Sequence, residues 1–130
     1  MYEKVGNYRG IPYAVGININ RGYRSGYVGI PENHKLYQVP HNKNSINLGI
    51  DMDFSGYLKQ LDGYFYGWDH NHIWDGVDEG IIRQYCEDDE ILPQLIREAW
   101  EYRENKNTRA ASLEDVEDEI RSVIDKLLLA

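Results

Sequence analysis

The sequence predicts an α+β fold in which a four-stranded, mostly antiparallel sheet is followed by two C-terminal amphipathic helices. Nine of the 11 tyrosines and all 12 glycines lie at or before residue 80, whereas Glu, Asp, Leu and Ile dominate the rest of the chain. The first part has closely spaced turn signals, and apolar residues recur at steps of three and four in the second. We expect the 130 residues to form a single domain, with a sheet-rich part over 1–80 and a helical part over 81–130.

Runs of β-branched and aromatic residues define the predicted strands. The segment Asn20-Arg21-Gly22 separates the first two runs and is typical of a hairpin turn. Pro31 and Pro40 indicate a longer surface loop between the second and third strands. Because the first and last connections look too short for parallel crossovers, neighbouring strands are expected to run antiparallel. The four predicted strands are Ile11–Ile19, Tyr23–Ile30, Ile46–Met52 and Tyr64–Trp68.

Two amphipathic segments follow the predicted strands. Between Asp88 and Glu104 the apolar residues fall on one helical face, and Pro93 lies near the first turn, where its missing N–H costs little. Ser112 begins a Ser-Leu-Glu-Asp segment that resembles a capping box and starts a second helix. The apolar stripe of that helix needs a cover, either the sheet or a second copy of the chain, so we expect a homo-oligomer, with a dimer favoured. The stripe comprises Leu113, Val116, Ile120, Val123, Ile124 and Leu127.

Charge is unevenly distributed along the chain. Residues 1–60 carry a net charge of +3 and residues 61–130 a net charge of −11, which accounts for the overall −8. Such an acidic field repels the phosphate backbone, so broad nucleic-acid binding is not expected. The acidic half is either a solvated face or a docking surface for a basic partner protein.

Three further features predict a cytoplasmic protein. No stretch approaches the ~20 apolar residues that a membrane span needs, so no membrane association is expected. The N-terminal residues lack the pattern of a secretion signal. The single cysteine, Cys86, can form neither an internal disulfide nor a thiolate metal cluster.

The densest polar cluster begins at Asp69. His70 and His72 would point to one face if the preceding strand continued through them, and two imidazoles at this spacing can share a divalent metal. Asp75, Asp78 or Glu79 would then supply oxygen ligands. The competing interpretation is that Asp69 caps a turn and both histidines pack at the end of the sheet. The predicted metal ligands are Asp69, His70 and His72.

Aromatic and basic residues suggest a second kind of site. Arg21 and Arg24 lie beside Tyr23 and Tyr27 and could stack on or pair with a small anionic nucleotide. The excess of Tyr and Trp is typical of recognition surfaces, although helices covering the sheet would explain it equally well. No nucleophile motif or phosphate-binding loop is present, which favours a non-enzymatic role. The predicted binding residues are Arg21, Tyr23, Arg24, Tyr27, Tyr64, Tyr66 and Trp68.

Three blocks of the chain resemble a family of small proteins encoded by tailed bacteriophages and prophages. The first block is Gly26–Tyr37, which contains Gly-Tyr-Val-Gly-Ile-Pro. The second is Leu48–Ser55 and the third is Gly67–His72, where members of the family read Gly-Phe-Asp-Cys-Ala-His. The resemblance implies an origin in phage DNA and an accessory role inside a bacterial host cell.

Together these observations favour a phage accessory protein that binds and inhibits or modulates a host factor, such as a component of bacterial defence. The basis is the small size, the acidic half, the aromatic excess and the family resemblance. Two alternatives stay open. One is a divalent-metal-dependent hydrolase that uses Asp69, His70 and His72, and the other is a binder of a small nucleotide signal.

Overall fold

The computed structural model describes all 130 residues as an α+β fold with five strands and three α-helices. A short 3-10 turn, His41–Lys43, interrupts the long connection between the third and fourth strands. No helix combines the length and apolar character that crossing a membrane would require. The elements in chain order are β1 (Tyr2–Tyr8), β2 (Ile11–Asn18), β3 (Tyr23–Gly29), β4 (Phe54–Leu58), β5 (Gly63–Asp69), α1 (Glu79–Tyr85), α2 (Leu92–Glu101) and α3 (Leu113–Leu129).

All strand pairs are antiparallel, and the spatial order is β1-β2-β3-β5-β4. The tight turn between β1 and β2 consists of Arg9 and Gly10, whose φ angles of 52° and 81° are those of a two-residue hairpin turn. The chain then crosses from β3 to the far edge of the sheet before β4 begins. As a result β5 pairs with β3 on one side and with β4 on the other, so it is an interior strand of the sheet.

The predicted sheet was correct in class and wrong in two details. The strand β1 was missed, because as an edge strand it is largely exposed and shows no alternation of apolar and polar residues. The predicted strand Ile46–Met52 is irregular backbone, and the fourth strand begins only at Phe54. Ile46, Leu48, Ile50 and Met52 do alternate, but they do so because this loop packs every second side chain against the core.

The helix α3 lies across one face of the sheet. Its Ser112 hydroxyl accepts a hydrogen bond from the Asp115 backbone N–H, and the Asp115 carboxylate accepts one from the Ser112 N–H, which completes the predicted capping box. The apolar stripe packs against residues of β2, β3 and β5, so the chain's own sheet covers it. The stripe therefore gives no reason to invoke a second copy. Its fully covered members are Val116, Ile120, Val123, Ile124 and Leu127.

The shorter helices α1 and α2 form a second, smaller core. Val77, Ile82 and Ala99 are its buried centre. The helix α1 was not predicted, because its seven residues are too few to show a helical repeat. The helix α2 is also shorter than the predicted segment 88–104, and Pro93 lies in its first turn as expected.

A buried arginine joins these parts. Arg24, in β3, is 7% exposed and pairs with both Glu3 carboxylate oxygens, at 2.6 and 3.1 Å. Its Nη1 also donates to the Asp78 carboxylate at 2.7 Å and to the Ala111 carbonyl at 3.0 Å. Hydrogen bonding to Glu3 raises the pKa of Arg24 despite its desolvation. This side chain thus links the β1 edge to the segments that precede α1 and α3.

We predict that Arg24→Ala lowers the free energy of unfolding by about 2–3 kcal/mol, because it removes several charge-assisted hydrogen bonds from a buried position. Arg21→Ala is the matched control: Arg21 is exposed and contacts only the Tyr102 ring, at 5.7 Å, so a loss of about 0.5 kcal/mol or less is expected. Urea denaturation measures both values. Equal losses in the two variants would contradict the structural role of Arg24.

Candidate metal centre

Two carboxylates meet where β5 ends. Asp69 is the last residue of β5, and Asp53 directly precedes β4, its neighbour. The antiparallel register pairs Phe54 with Gly67, which brings Asp53 alongside the end of β5. The Asp69 backbone N–H donates to the Asp53 carboxylate at 3.0 Å, so the two side chains are held in one place by the sheet.

His72 completes the cluster from the loop that follows β5. One ligand atom from each of Asp53, Asp69 and His72 lies within 4.8 Å of the other two. The Asn71 N–H donates to the Asp69 carboxylate at 3.1 Å, and this turn reverses the chain so that His72 returns toward Asp69. The cluster is half-buried at Asp69 and His72 and exposed at Asp53.

The Asp75 carboxylate orients His72. Its Oδ2 lies 2.9 Å from His72 Nδ1 and accepts a hydrogen bond from the His72 backbone N–H at 2.8 Å. A proton on Nδ1 leaves the lone pair on Nε2 available for a metal. Metal-binding histidines commonly have a carboxylate on the opposite nitrogen, which fixes the tautomer and the ring orientation.

The loop that carries His72 is braced from behind. Arg103 is 3% exposed and donates to the His72 carbonyl at 2.6 Å and to the Asn71 side-chain oxygen at 3.1 Å. Gly76 packs directly on the backbone of Thr108–Ala110, where a Cβ would meet the Thr108 carbonyl oxygen at 2.0 Å. These contacts hold the cluster in place without using its ligand atoms.

His70, predicted as a ligand, has a different partner. Its Nε2 lies 2.7 Å from the Glu119 carboxylate on α3, which also accepts a hydrogen bond from the Trp68 indole at 3.1 Å. Hydrogen bonding to Glu119 raises the pKa of His70 and outweighs the opposing desolvation. His70 therefore ties the end of β5 to α3 and is not one of the three clustered residues.

A pocket of about 320 Å³ opens beside the cluster. Trp74 is 60% exposed and stacks on the His72 ring, with centroids 4.5 Å apart and planes 5° apart. The lining contains three carboxylates and no Lys or Arg, so the pocket favours cations. It is lined by Ile50, Asp51, Trp68, Asp69, His70, His72, Trp74 and Asp75.

The other predicted oxygen ligands have structural roles. Asp78 caps α1 by accepting from the Gly80 N–H and also pairs with Arg24. Glu79 accepts hydrogen bonds from the Trp100 indole and from Arg83. Asp53 is the cluster residue that the sequence analysis did not predict. A strand predicted to start at Phe54 would have paired with β5 as a hairpin, and the register of that hairpin places Asp53 beside the end of β5.

The predicted anion-binding residues are separated by the sheet. Alternation along β3 places Arg24 on the face toward α3, whereas Tyr27 lies on the opposite face against Tyr2 and Phe54. The Tyr23 hydroxyl accepts a hydrogen bond from Asn18, and Arg21 lies at the exposed turn. The structure therefore does not bring the two arginines and two tyrosines into one site.

The predicted aromatic surface on β5 is buried. Tyr64 and Tyr66 both donate to the Val39 carbonyl, at 2.9 and 2.6 Å, under the long loop that precedes β4. Burial raises the pKa of Tyr66 to about 12. Trp68 is 2% exposed beneath α3. These three side chains belong to the core that supports the cluster.

We predict a pH-dependent contribution from the His70–Glu119 pair in the metal-free protein. Because the pKa of His70 is raised in the folded state, the pair stabilises the fold fully below the unfolded value of about 6.5, and this stabilisation is lost as pH rises through the folded pKa. The unfolding free energy of the wild type should exceed that of Glu119→Gln most at pH ~5.5. The difference should shrink toward pH ~9.

The measurement is chemical denaturation in the presence of a chelator. Glu114→Gln, an exposed substitution on the same helix, is the control and should show no such trend. A difference between the wild type and Glu119→Gln that grows with pH would contradict the assignment.

Comparison with known proteins gives no match. The chain matches no protein family, no curated protein and no solved structure. The geometry of the Asp53, Asp69 and His72 cluster therefore carries the functional argument.

Proposed function

We propose that the protein binds a divalent cation through Asp53, Asp69 and His72 and acts as a metal-dependent hydrolase. The observation that carries this proposal is the convergence of three ligand atoms within 4.8 Å, with His72 oriented by Asp75. Ligands that share an ion at bond lengths of about 2.1 Å lie about 3–4 Å from one another. Small side-chain movements would therefore close the cluster around an ion.

The donor set limits the choice of cation. Two carboxylates and one imidazole suit Zn²⁺ or Mn²⁺, and three protein ligands leave positions for water. A zinc ion held by these residues would lower the pKa of such a water to about 7 and so supply a nucleophile at neutral pH. Asp51 lines the same pocket and would be the side chain placed to accept a proton, whereas His70 is held by Glu119. The pocket would hold the substrate beside the ion.

A second candidate function is the binding of a partner protein, as the resemblance to phage accessory proteins implies. The observation that favours it is the run Glu87–Glu90, which is exposed. None of these four carboxylates forms an ion pair within the chain. A basic surface on a host protein would complement this run. Its test is a pull-down from bacterial lysate, in which capture should weaken as salt is raised.

We predict that Mn²⁺ or Zn²⁺ raises the Tm of the wild-type protein, because an ion that binds only the folded state stabilises it by mass action. At a free metal concentration ~100 times Kd the stabilisation would be about 2.7 kcal/mol. His72→Ala and Asp69→Asn should each abolish the rise. Differential scanning fluorimetry with and without a chelator measures it.

The control for this experiment is His70→Gln, because His70 borders the pocket but lies outside the cluster. This variant should keep the metal-dependent rise in Tm. Hydrolysis is then assayed with Mn²⁺ on p-nitrophenyl esters of phosphate, of phosphodiesters and of acetate. A wild type without any metal response, or a response that survives His72→Ala, refutes the metal centre.

A further inference from the structure

A second concave surface shares no lining residue with the pocket beside the Asp53, Asp69 and His72 cluster. It is a groove of about 310 Å³ between the β2–β3 turn, the end of α1 and the start of α2. The turn contributes two residues, each of the two helices contributes one, and the α1–α2 connection contributes four. Its lining residues are Ile19, Asn20, Tyr85, Cys86, Glu87, Asp88, Ile91 and Leu95.

Ile91 is the most exposed apolar residue of this groove. It stands at the start of α2 with helical backbone angles, and the Asp88 carbonyl accepts hydrogen bonds from the Ile91 and Leu92 N–H groups, so Asp88 closes this turn. Its side chain is also 47% exposed. Its apolar surface is therefore free to contact another molecule, and it directly follows the exposed acidic run Glu87–Glu90.

The charged residues that line the groove are all acidic. Glu87 and Asp88 line it, and Asp89 and Glu90 continue the exposed run toward Ile91. No Lys or Arg is among the lining residues. An apolar floor beneath an uncompensated acidic rim complements a ligand that presents an aliphatic side chain between basic ones.

We propose that this groove binds a Lys/Arg-rich segment of a partner protein, with one aliphatic side chain of that segment packed against Ile91 and Leu95. The inference rests on the second candidate function, partner binding, and is independent of the metal centre. The Asp88 carboxylate accepts a hydrogen bond from the Glu90 N–H and supports the turn, so Glu87, Asp89 and Glu90 supply the free negative charge. Basic residues of the partner would pair with these three carboxylates.

The test uses a short fluorescein-labelled peptide in which Lys and Arg flank a central Leu. Fluorescence anisotropy should show salt-sensitive binding to the wild type. The triple variant Glu87→Gln/Asp89→Asn/Glu90→Gln should weaken binding about tenfold, because three exposed charge pairs together contribute that much. Ile91→Ala should weaken it by a similar factor while the fold is kept, since Ile91 is exposed at the start of the helix and Ala is the best helix former.

A charge-matched control separates this groove from the rest of the acidic surface. Glu32→Gln/Glu114→Gln/Asp118→Asn removes three exposed acids that do not line the groove. This control should bind the peptide as the wild type does. An equal or greater loss in the control places the basic ligand elsewhere, and the groove inference is then wrong although partner binding stands.

The single cysteine gives a second readout. Cys86 is half-buried in the groove wall, so bound peptide should slow its reaction with a thiol reagent. A peptide whose central Leu is replaced by Ser should protect it less. Absence of peptide binding, or binding without protection of Cys86, overturns the proposal. The Tm of each variant, measured without added metal, should stay close to that of the wild type and shows that each variant is folded.

Discussion

The arrangement of the whole chain depends on one buried cation. Arg24 lies in the middle strand of the sheet and reaches Glu3 at the edge, Asp78 at the start of α1 and the Ala111 carbonyl just before α3. A guanidinium has five donors in a fixed plane, and here they connect segments that are far apart in sequence. Asp78, whose carboxylate pairs with Arg24, is also the N-cap residue of α1. Arg24 therefore fixes the start of α1 relative to the sheet.

Part of the charge difference between the two halves of the chain is used in ion pairs that join them in the folded structure. Acidic residues on α3 meet basic residues of β1 and its turn: Glu117 pairs with Lys4 at 2.6 Å, and Asp125 with Arg9 at 2.9 Å. Hydrogen bonding to Lys4 lowers the pKa of Glu117, and hydrogen bonding to Arg9 lowers that of Asp125. The acids of the last helix are therefore partly neutralised within the molecule. The run Glu87–Glu90 after α1 has no ion-pair partner in the chain, which is why the proposed contact with a basic partner uses that run.

The sequence predicts the elements whose local pattern and tertiary role agree. The helix α3 follows directly from its stripe and its capping box, and the β2–β3 hairpin from two apolar runs around a turn. The edge strand β1 could not be predicted, because its partners lie on one side only and its pattern is mostly exposed. The sequence of loop 46–52 resembles that of a strand because its side chains also point alternately to the core and to solvent.

The candidate site was half predictable for a similar reason. Asp69 and His72 were predicted as ligands. The alternation of side chains along a continued strand also placed His70 on the same face as His72, but the chain turns after Asp69 and the alternation ends there. Asp53 comes from another strand, and only the hairpin register brings it near.

The strand order also has a consequence for how the molecule forms during synthesis. Because β5 separates β3 from β4, the outer edge of β3 has no partner until residues 63–69 have left the ribosome. The three-stranded meander β1-β2-β3 can form early from local contacts, yet its apolar face has no cover until α3, the last element, arrives. Nascent chains that pause between these stages expose both an unpaired strand edge and an uncovered apolar sheet. Chaperone dependence should therefore concentrate in the interval between the synthesis of β3 and the synthesis of α3.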